Sequence, residues 1–132
     1  MSEVRVIIAG GRDFADYRRL KTYMDCLLEP LDKSQIEIIS GGAKGADSLG
    51  ERYARESGYK LKRFPANWNK YGKAAGPIRN KEMALYAAEV TGVLVAFWDG
   101  SSRGTYDMIT RAEEYGLKVY TPKYSRRKSN ES

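Results

Sequence analysis

Five short apolar runs recur along the chain and predict β-strands. They are Val4–Ala9, Ile36–Ile39, Tyr59–Phe64, Val93–Phe97 and Lys118–Tyr120. The first, second and fourth are nearly continuous in Val, Ile and Leu, which is typical of strands that are covered on both faces. The third alternates apolar and polar residues, so we expect it nearer an edge of the sheet.

Four stretches with a helical spacing of apolar residues lie between these runs. Their apolar positions run from Leu20 to Leu28, Leu49 to Ala54, Ile78 to Ala88 and Met108 to Ala112. Gly58 is expected to cap the second helix, and Pro77 to introduce the third. This regular alternation predicts an α/β fold, a Rossmann-like open parallel sheet of about five strands with helices on both faces.

The net charge changes this picture only near the end of the sequence. The 132 residues carry a formal charge of +6, and residues 123–132 contain four basic residues and one acidic residue. Half of the positive excess therefore lies in a polar segment without apolar periodicity, which is predicted to be a disordered tail. Residues 1–122 are predicted to form a single Rossmann-like domain.

Two scarce residue types exclude classes of chemistry. The sequence has no histidine, which excludes Ser-His-Asp and Cys-His catalysis and histidine-bound metals. Its single cysteine, Cys26, allows no disulfide within the chain and is predicted to be a core residue of the first helix. The sequence shows neither a run long enough to span a membrane nor a signal peptide, so the protein is expected to be cytoplasmic.

The residues that follow each strand form the candidate site, because ligands of open parallel sheets bind outside the carboxyl ends of the strands. Gly10-Gly11-Arg12-Asp13-Phe14 follows the first strand. Its two glycines let the backbone turn sharply beside a ligand, and Arg12 offers a forked donor to phosphate. The sequence equally allows a plain turn in which Arg12 pairs with Asp13.

A second glycine-rich turn, Ser40-Gly41-Gly42-Ala43-Lys44-Gly45-Ala46-Asp47-Ser48, follows the second strand. Such a turn exposes the free N–H groups of the next helix to an anion, and Lys44 adds positive charge beside them. The spacing matches neither the G-x-x-x-x-G-K-[ST] P-loop nor the G-x-G-x-x-G dinucleotide motif. Asp47 is predicted either to cap the helix or to accept hydrogen bonds from ribose hydroxyls. Phosphate binding is favoured over a plain turn.

The third connection, Pro65–Asn80, is the longest and contains no acidic residue. Its cations and aromatic residues are interleaved, as Trp68, Lys70, Tyr71, Lys73 and Arg79. The rings are suited to stacking on a base while the cations meet phosphate. In the alternative interpretation the rings pack the loop onto the domain and the cations are solvated. Arg79 and Asn80 fall in the first turn of a helix, where a cation is unfavourable unless an anion is present.

The fourth connection, Trp98–Thr105, is rich in glycine and hydroxyl groups and again precedes a helix. It is therefore a second candidate for anion binding. Thr105 is expected either to cap the helix or to bond a ligand oxygen. Asp99 is the best-placed carboxylate for ribose, metal or proton transfer, and the alternative is that it holds Arg103 or the turn.

Four motifs stand in order along the chain: Ala9–Phe14, Ser40–Asp47, Tyr71–Asn80 and Gly104-Thr105. Together they resemble the SLOG superfamily, specifically its YspA (cpYpsA-related) branch. The resemblance implies a Rossmann-like domain that binds nucleotides or nucleotide-derived ligands, and it implies a homo-oligomer. The LOG phosphoribohydrolases and DprA are more distant relatives. LOG enzymes use a glutamate for N-glycosidic cleavage, and aligning Gly104-Thr105 with their motif places Met108 at that position.

The expected function is binding of a nucleotide or nucleotide-derived small molecule, in a sensor, carrier or sequestering role. The candidate ligand-binding residues are Gly10, Gly11, Arg12, Ser40, Gly41, Gly42, Lys44, Gly45, Asp47, Trp68, Tyr71, Lys73, Arg79, Asn80, Asp99, Arg103, Gly104 and Thr105. The first alternative is a hydrolase of N-glycosidic or phosphate bonds that uses Asp99, Asp13 or Asp47, with Mg²⁺ as a candidate cofactor. The second alternative is nucleic-acid binding through the basic loop and tail.

Overall fold

A computed structural model describes residues 3–125. The strands are β1 (Val4–Gly10), β2 (Ile36–Ser40), β3 (Lys60–Arg63), β4 (Thr91–Phe97) and β5 (Lys118–Tyr120). The helices are α1 (Tyr17–Leu28), α2 (Ala46–Ser57), α3 (Trp68–Tyr71), α4 (Ala75–Ala88) and α5 (Arg103–Glu114). Within this part of the chain, no helix combines the length and the apolar character needed to cross a membrane.

The five strands form one parallel sheet in the order β3-β2-β1-β4-β5. Val6 of the central strand β1 pairs with Ile38 of β2 and with Val93 of β4. The strand order reverses between β1 and β4, because the chain builds one side of β1 first and then crosses to the other side. The alternating run, β3, lies at an edge as predicted, and the Rossmann-like α/β fold is confirmed.

Both faces of the sheet are covered, because successive side chains of β1 point into opposite clusters. Ile8 packs with Tyr53 of α2 and with the apolar side of α1. Ile7 packs on the other face with Met83 of α4 and Met108 of α5. Each of these side chains is at most 1% exposed, and burial of such side chains stabilises the fold by about 1.5–3 kcal/mol apiece. This double coverage explains the continuous apolar runs in the sequence.

The prediction that Cys26 is a core residue is wrong, because its side chain is exposed. The buried positions of α1 are Leu20, Met24 and Leu28, each four residues from the next. At about 100° per residue, Cys26 lies roughly 200° around the helix from Met24 and faces solvent.

The third predicted helix begins earlier than Pro77, and the long connection before it is partly helical. Helix α4 starts at Ala75, so Pro77 lies in its first turn, and α3 occupies part of the predicted loop. A helical start at this point is compatible with proline, whose missing N–H has no partner there anyway. Gly58 is the left-handed C-cap of α2, with a φ of 79°, as predicted.

The first residues of the predicted tail 123–132 pair with the sheet. Lys123 forms a bridge with Trp98, and the N–H of Tyr124 donates to the carbonyl oxygen of Trp98 at 3.2 Å. The ring of Tyr124 also meets that of Phe14, with centroids 4.9 Å apart. The folded unit therefore extends past residue 122, and residues 126–132 of the predicted tail lie outside the described residues.

Candidate functional site

The main cavity has a volume of about 510 Å³ and lies at the carboxyl ends of β1 and β4, where the strand order reverses. Ligands of open α/β sheets bind at this position, in pockets of roughly 300–1,000 Å³. Met83 and Met108 belong to its lining, but each is only 1% exposed. The complete lining is Ala9, Gly10, Arg12, Ala43, Asp47, Trp68, Gly76, Pro77, Arg79, Asn80, Met83, Ser102, Arg103, Gly104, Thr105, Asp107 and Met108.

The first turn of α5, Arg103–Thr105, borders this cavity. Just before it, Asp99 Oδ1 accepts hydrogen bonds from the backbone N–H groups of Ser101 at 2.8 Å and Ser102 at 2.9 Å. Asp99 therefore holds the turn, which is the second of its two predicted roles. Ser102 Oγ lies 3.2 Å from Thr105 Oγ1. Because a helix start carries the positive end of the helix dipole, this wall of the cavity attracts anions.

Two guanidinium groups share the opposite side of the cavity. Arg79 donates through Nη1 to the carbonyl oxygen of Gly41 and through Nε to Asn80 Oδ1 at 3.0 Å. Burial lowers the pKa of Arg79; the nearby Asp47 opposes this shift, and Arg12 adds to it. A bound anion would stabilise both cations at once, because it would replace the lost hydration of Arg79 and separate the two positive charges.

Asn80 connects α4 to α5 beneath these cations. Its side chain is buried, and Nδ2 donates to Asp107 Oδ2 at 2.9 Å and to the carbonyl oxygen of Gly104 at 3.4 Å. Asp107 also accepts from Arg111 Nε at 3.0 Å. One of the two carboxylates of the cavity wall is therefore already paired with a cation, which leaves the charge of the wall predominantly positive.

The turn between β2 and α2 differs from its prediction. The backbone N–H of Ala46 donates to the carbonyl oxygen of Gly11 at 3.1 Å, and that of Ala43 donates to Asp47 Oδ2 at 3.2 Å. Gly45 makes this packing possible: its φ is +78°, and a Cβ there would lie 2.2 Å from the Gly11 oxygen. The expectation of free amides at the start of α2 is therefore wrong at Ala46, and the N–H of Ala43 in the preceding loop is bonded within the chain as well.

Asp47 is the carboxylic acid of this cavity whose titration is most altered. Its side chain is 5% exposed, and burial raises its pKa to about 6. The N–H of Ala43 and the charge of Arg79 act in the opposite direction, whereas Glu51 adds to the rise. The cavity thus contains a carboxyl group that exchanges its proton near neutral pH.

Glu51 belongs to a buried network that the sequence analysis missed. Ser40 Oγ donates to Glu51 Oε2 at 2.7 Å and accepts from the N–H of Gly42 at 3.0 Å. Arg63 Nε donates to the same Glu51 oxygen at 2.9 Å. The spacing of four residues between Asp47 and Glu51 was the available signal, because it places both carboxyl groups on one face of α2.

A smaller cavity of about 270 Å³ adjoins the first one. It lies between the loop Gly41–Lys44 and the segment that starts at Pro65. Both cavities are lined by Arg12, Ala43, Trp68 and Arg79. The indole of Trp68 is 51% exposed at this boundary.

The structure brings most of the predicted ligand-binding residues together at the two cavities. Those that line one or both are Gly10, Arg12, Gly41, Gly42, Lys44, Asp47, Trp68, Arg79, Asn80, Arg103, Gly104 and Thr105. Those that line neither are Gly11, Ser40, Gly45, Tyr71, Lys73 and Asp99. Four of the latter support the turns: Gly11 and Gly45 pack backbone against backbone, Ser40 is buried beneath the loop, and Asp99 accepts from the N–H groups of Ser101 and Ser102.

Of the three predicted catalytic carboxylates, one lines a cavity and two do not. Asp47 lines the main cavity, whereas Asp13 and Asp99 do not. Asp13 accepts a hydrogen bond from the hydroxyl of Tyr124. Met108, at the position that the LOG resemblance assigns to a glutamate, lies in the cavity wall and is 1% exposed. Across residues 3–125 no group of three or more Asp, Glu, Cys or His side chains is arranged to hold a metal ion.

Comparisons with known proteins agree with this architecture. The family model YAcAr, described as the YspA, cpYpsA-related SLOG family, matches residues 4–71. The Gene 61 protein of Mycobacterium phage D29 is 34% identical over 122 residues, which cover 87% of this chain and 93% of that protein.

The structure of DNA processing protein A (DprA) from Streptococcus pneumoniae is also similar, with a TM-score of 0.68 and 18% identity. The likeness covers 91% of this chain and 50% of the DprA chain, so this protein spans about half the length of that structure. At this identity the likeness demonstrates the shared fold alone. The family match and the phage relative together establish that this chain belongs to the YspA, cpYpsA-related SLOG family.

Proposed function

We propose that this protein binds a nucleotide or nucleotide-derived small molecule in the 510 Å³ cavity, in a sensor, carrier or sequestering role. The observation that carries the proposal is the meeting of a helix start with three arginines at the switch point of the sheet. Arg12, Arg79 and Arg103 all line the cavity, together with the first turn of α5. Membership in the SLOG family supports a nucleotide-related ligand.

The two kinds of surface in the cavity suit the two parts of a nucleotide. The helix start and the guanidinium groups favour phosphate, which accepts charge-assisted hydrogen bonds from both. The exposed ring of Trp68 favours the flat face of a base. One wall of the site thus recognises charge, and the other recognises an aromatic ring.

Calorimetric titration with a panel of mono-, di- and cyclic nucleotides and ADP-ribose derivatives tests the proposal. Arg103→Gln should lower the affinity for the tightest-binding of these ligands about tenfold, because it removes one charge-assisted contact. The matched control is Arg18→Gln, at an exposed position of α1 that lines neither cavity. The proposal is overturned if every ligand in the panel, tested up to about millimolar concentration, gives no heat of binding. A dissociation constant above about 1 mM corresponds to less than about 4 kcal/mol of binding free energy.

A second candidate function is hydrolysis of the bound ligand at an N-glycosidic or phosphate bond. It is favoured by Asp47, which lines the cavity and whose pKa is raised to about 6 by burial. A carboxyl group that titrates near neutral pH is suited to general acid–base catalysis. Incubation of each ligand with and without Mg²⁺, followed by chromatography, separates the candidates. Turnover that disappears in Asp47→Asn supports the hydrolase, whereas recovery of unchanged ligand supports binding alone.

Two other expectations stay predictions and are tested with the same protein. Nucleic-acid binding requires affinity for an oligonucleotide that falls steeply with salt and weakens when residues 126–132 are deleted. The homo-oligomer requires a solution mass that is a multiple of 14.9 kDa.

A further inference from the structure

The smaller cavity contains a concentration of positive charge that the main cavity alone does not explain. Arg12, Lys44 and Arg79 line it, and the lining residues in the described part of the chain include no acidic side chain. Arg63 stands just behind it: its Nη2 atom would lie 3.0 Å from a Cβ added at Gly42. Four cations therefore surround a space bounded by glycine backbone.

Like charges at this density repel one another unless an anion or a carboxylate lies among them. Arg63 is paired with Glu51 through a contact of 2.9 Å. Arg79 is half-buried, and its burial lowers its pKa; the nearby Asp47 opposes this shift only in part, and the charge of Arg12 adds to it. Lys44 is exposed and lines the smaller cavity, whereas Asp47, whose carboxyl group accepts from the N–H of Ala43, lines the main cavity only. The arrangement is most stable with a bound anion.

The sizes of the cavities decide what kind of anion fits. A volume of about 270 Å³ is below the roughly 300–1,000 Å³ that is usual for a complete small-molecule site. The four lining residues shared with the main cavity make it a side chamber of that site. A substituent of a ligand that already occupies the main cavity therefore fits it better than a separate ligand does.

We propose that the smaller cavity is a second phosphoryl subsite, so that the ligand is a nucleoside carrying at least two phosphoryl groups. The inference rests on the proposed function. The nucleoside and its first phosphoryl group occupy the main cavity beside α5. The next phosphoryl group passes Arg79 and is bound by Arg12 and Lys44. Arg79, common to both cavities, contacts the bridge between the two groups.

The test compares AMP with ADP, and GMP with GDP, by calorimetry on the full chain. The unmodified protein should bind the diphosphate about tenfold more tightly than the monophosphate, since the additional group gains contacts with charged donors. Lys44→Gln should remove most of that preference and leave monophosphate affinity within about twofold. Lys44→Arg should retain it, because the positive charge is kept.

Lys81→Gln is the matched control, because Lys81 is an exposed cation of α4 that lines neither cavity. It should leave both affinities unchanged. Equal affinity for mono- and diphosphate, or an equal loss of both in Lys44→Gln, overturns the inference while the proposed function stands. Absence of binding by all four nucleotides overturns the inference for these nucleosides and, if the wider panel also fails, the proposed function with it. A thermal melt that matches the unmodified protein confirms that each variant is folded.

Discussion

The two glycine-rich turns that precede α2 and α5 contain the same kinds of residue and reach opposite arrangements. In the turn before α5, Asp99 lies upstream of the helix and accepts the N–H groups of Ser101 and Ser102. The first turn of that helix is left bordering the cavity. In the turn before α2, Asp47 lies inside the first helical turn and reaches back to the N–H of Ala43.

The difference shows that the position of the acidic residue decides how such a turn meets an anion. When the carboxylate precedes the helix, it shapes the loop and leaves the helix start to a ligand. When it lies within the helix, it bonds to the loop and places a buried carboxyl group beside the helix start, where its negative charge opposes an anion. The turn before α2 can then attract an anion mainly through side chains such as Lys44, on the side that faces the smaller cavity.

The largest expected effect comes from replacing one glycine in each turn by alanine. Gly45→Ala should destabilise the fold by at least about 3 kcal/mol, because its Cβ overlaps backbone and its φ is unfavourable for other residues. The overlap is with the Gly11 oxygen at 2.2 Å, at a φ of +78°. Gly104→Ala should be neutral or stabilising by up to about 1 kcal/mol, because alanine favours a helix and its Cβ meets nothing within 4 Å. Urea unfolding measures both, and similar losses in the two variants would break the comparison.

The second effect concerns the two acidic residues and depends on pH. Asp47 has its pKa raised from 3.8 to about 6 by burial, so the folded protein holds this proton more tightly than the unfolded chain does. The protonated Asp47 side chain therefore contributes fully to the stability of the fold below about pH 4. This contribution is lost as the pH rises to about 6. Asp47→Asn should be more stable than the unmodified protein by about 2–3 kcal/mol at pH 7.5, and the difference should vanish near pH 4.

Asp99→Asn is the matched variant for that measurement. It weakens two hydrogen bonds to backbone N–H groups and should destabilise the protein by about 1 kcal/mol at pH 7.5. The two substitutions thus have opposite signs at the same pH. A loss of stability in Asp47→Asn at pH 7.5 would show that the charged carboxylate is required in the fold, and the contrast between the turns would fail.

The helices and strands of this fold were predictable because the pattern of apolar residues reflects which of their faces are buried. β1 is covered on both faces, so Val4–Ala9 is apolar at every position except Arg5, whereas the edge strand β3 alternates. The end of the sheet that holds the site followed from the order of the elements, because the connections after parallel strands all lie at the carboxyl ends of those strands. Twelve of the predicted ligand-binding residues line the cavities for that reason.

The details of the turns were not predictable, because they depend on contacts between distant parts of the chain. The N–H of Ala46 donates to the carbonyl oxygen of Gly11, which lies thirty-five residues earlier in the sequence. Glu51 is stabilised by Arg63 from the edge strand. Sequence patterns report local periodicity and leave such pairings unspecified. The error at Cys26 has another cause, because the four-residue spacing of Leu20, Met24 and Leu28 already places Cys26 on the opposite side of α1.

The smallest effect compares the serines of the two turns. Ser40 is buried and connects Gly42 to Glu51, so Ser40→Ala removes one partner of a buried carboxylate and should cost about 1–2 kcal/mol. Ser102 is only half-buried, and its Oγ makes a 3.2 Å contact with Thr105, so Ser102→Ala should cost about 0.5 kcal/mol. Urea unfolding at pH 7.5 ranks the two variants. A larger loss in Ser102→Ala would mean that the start of α5 is stabilised by its own side chains, and it would then be less available to a ligand than the turn before α2.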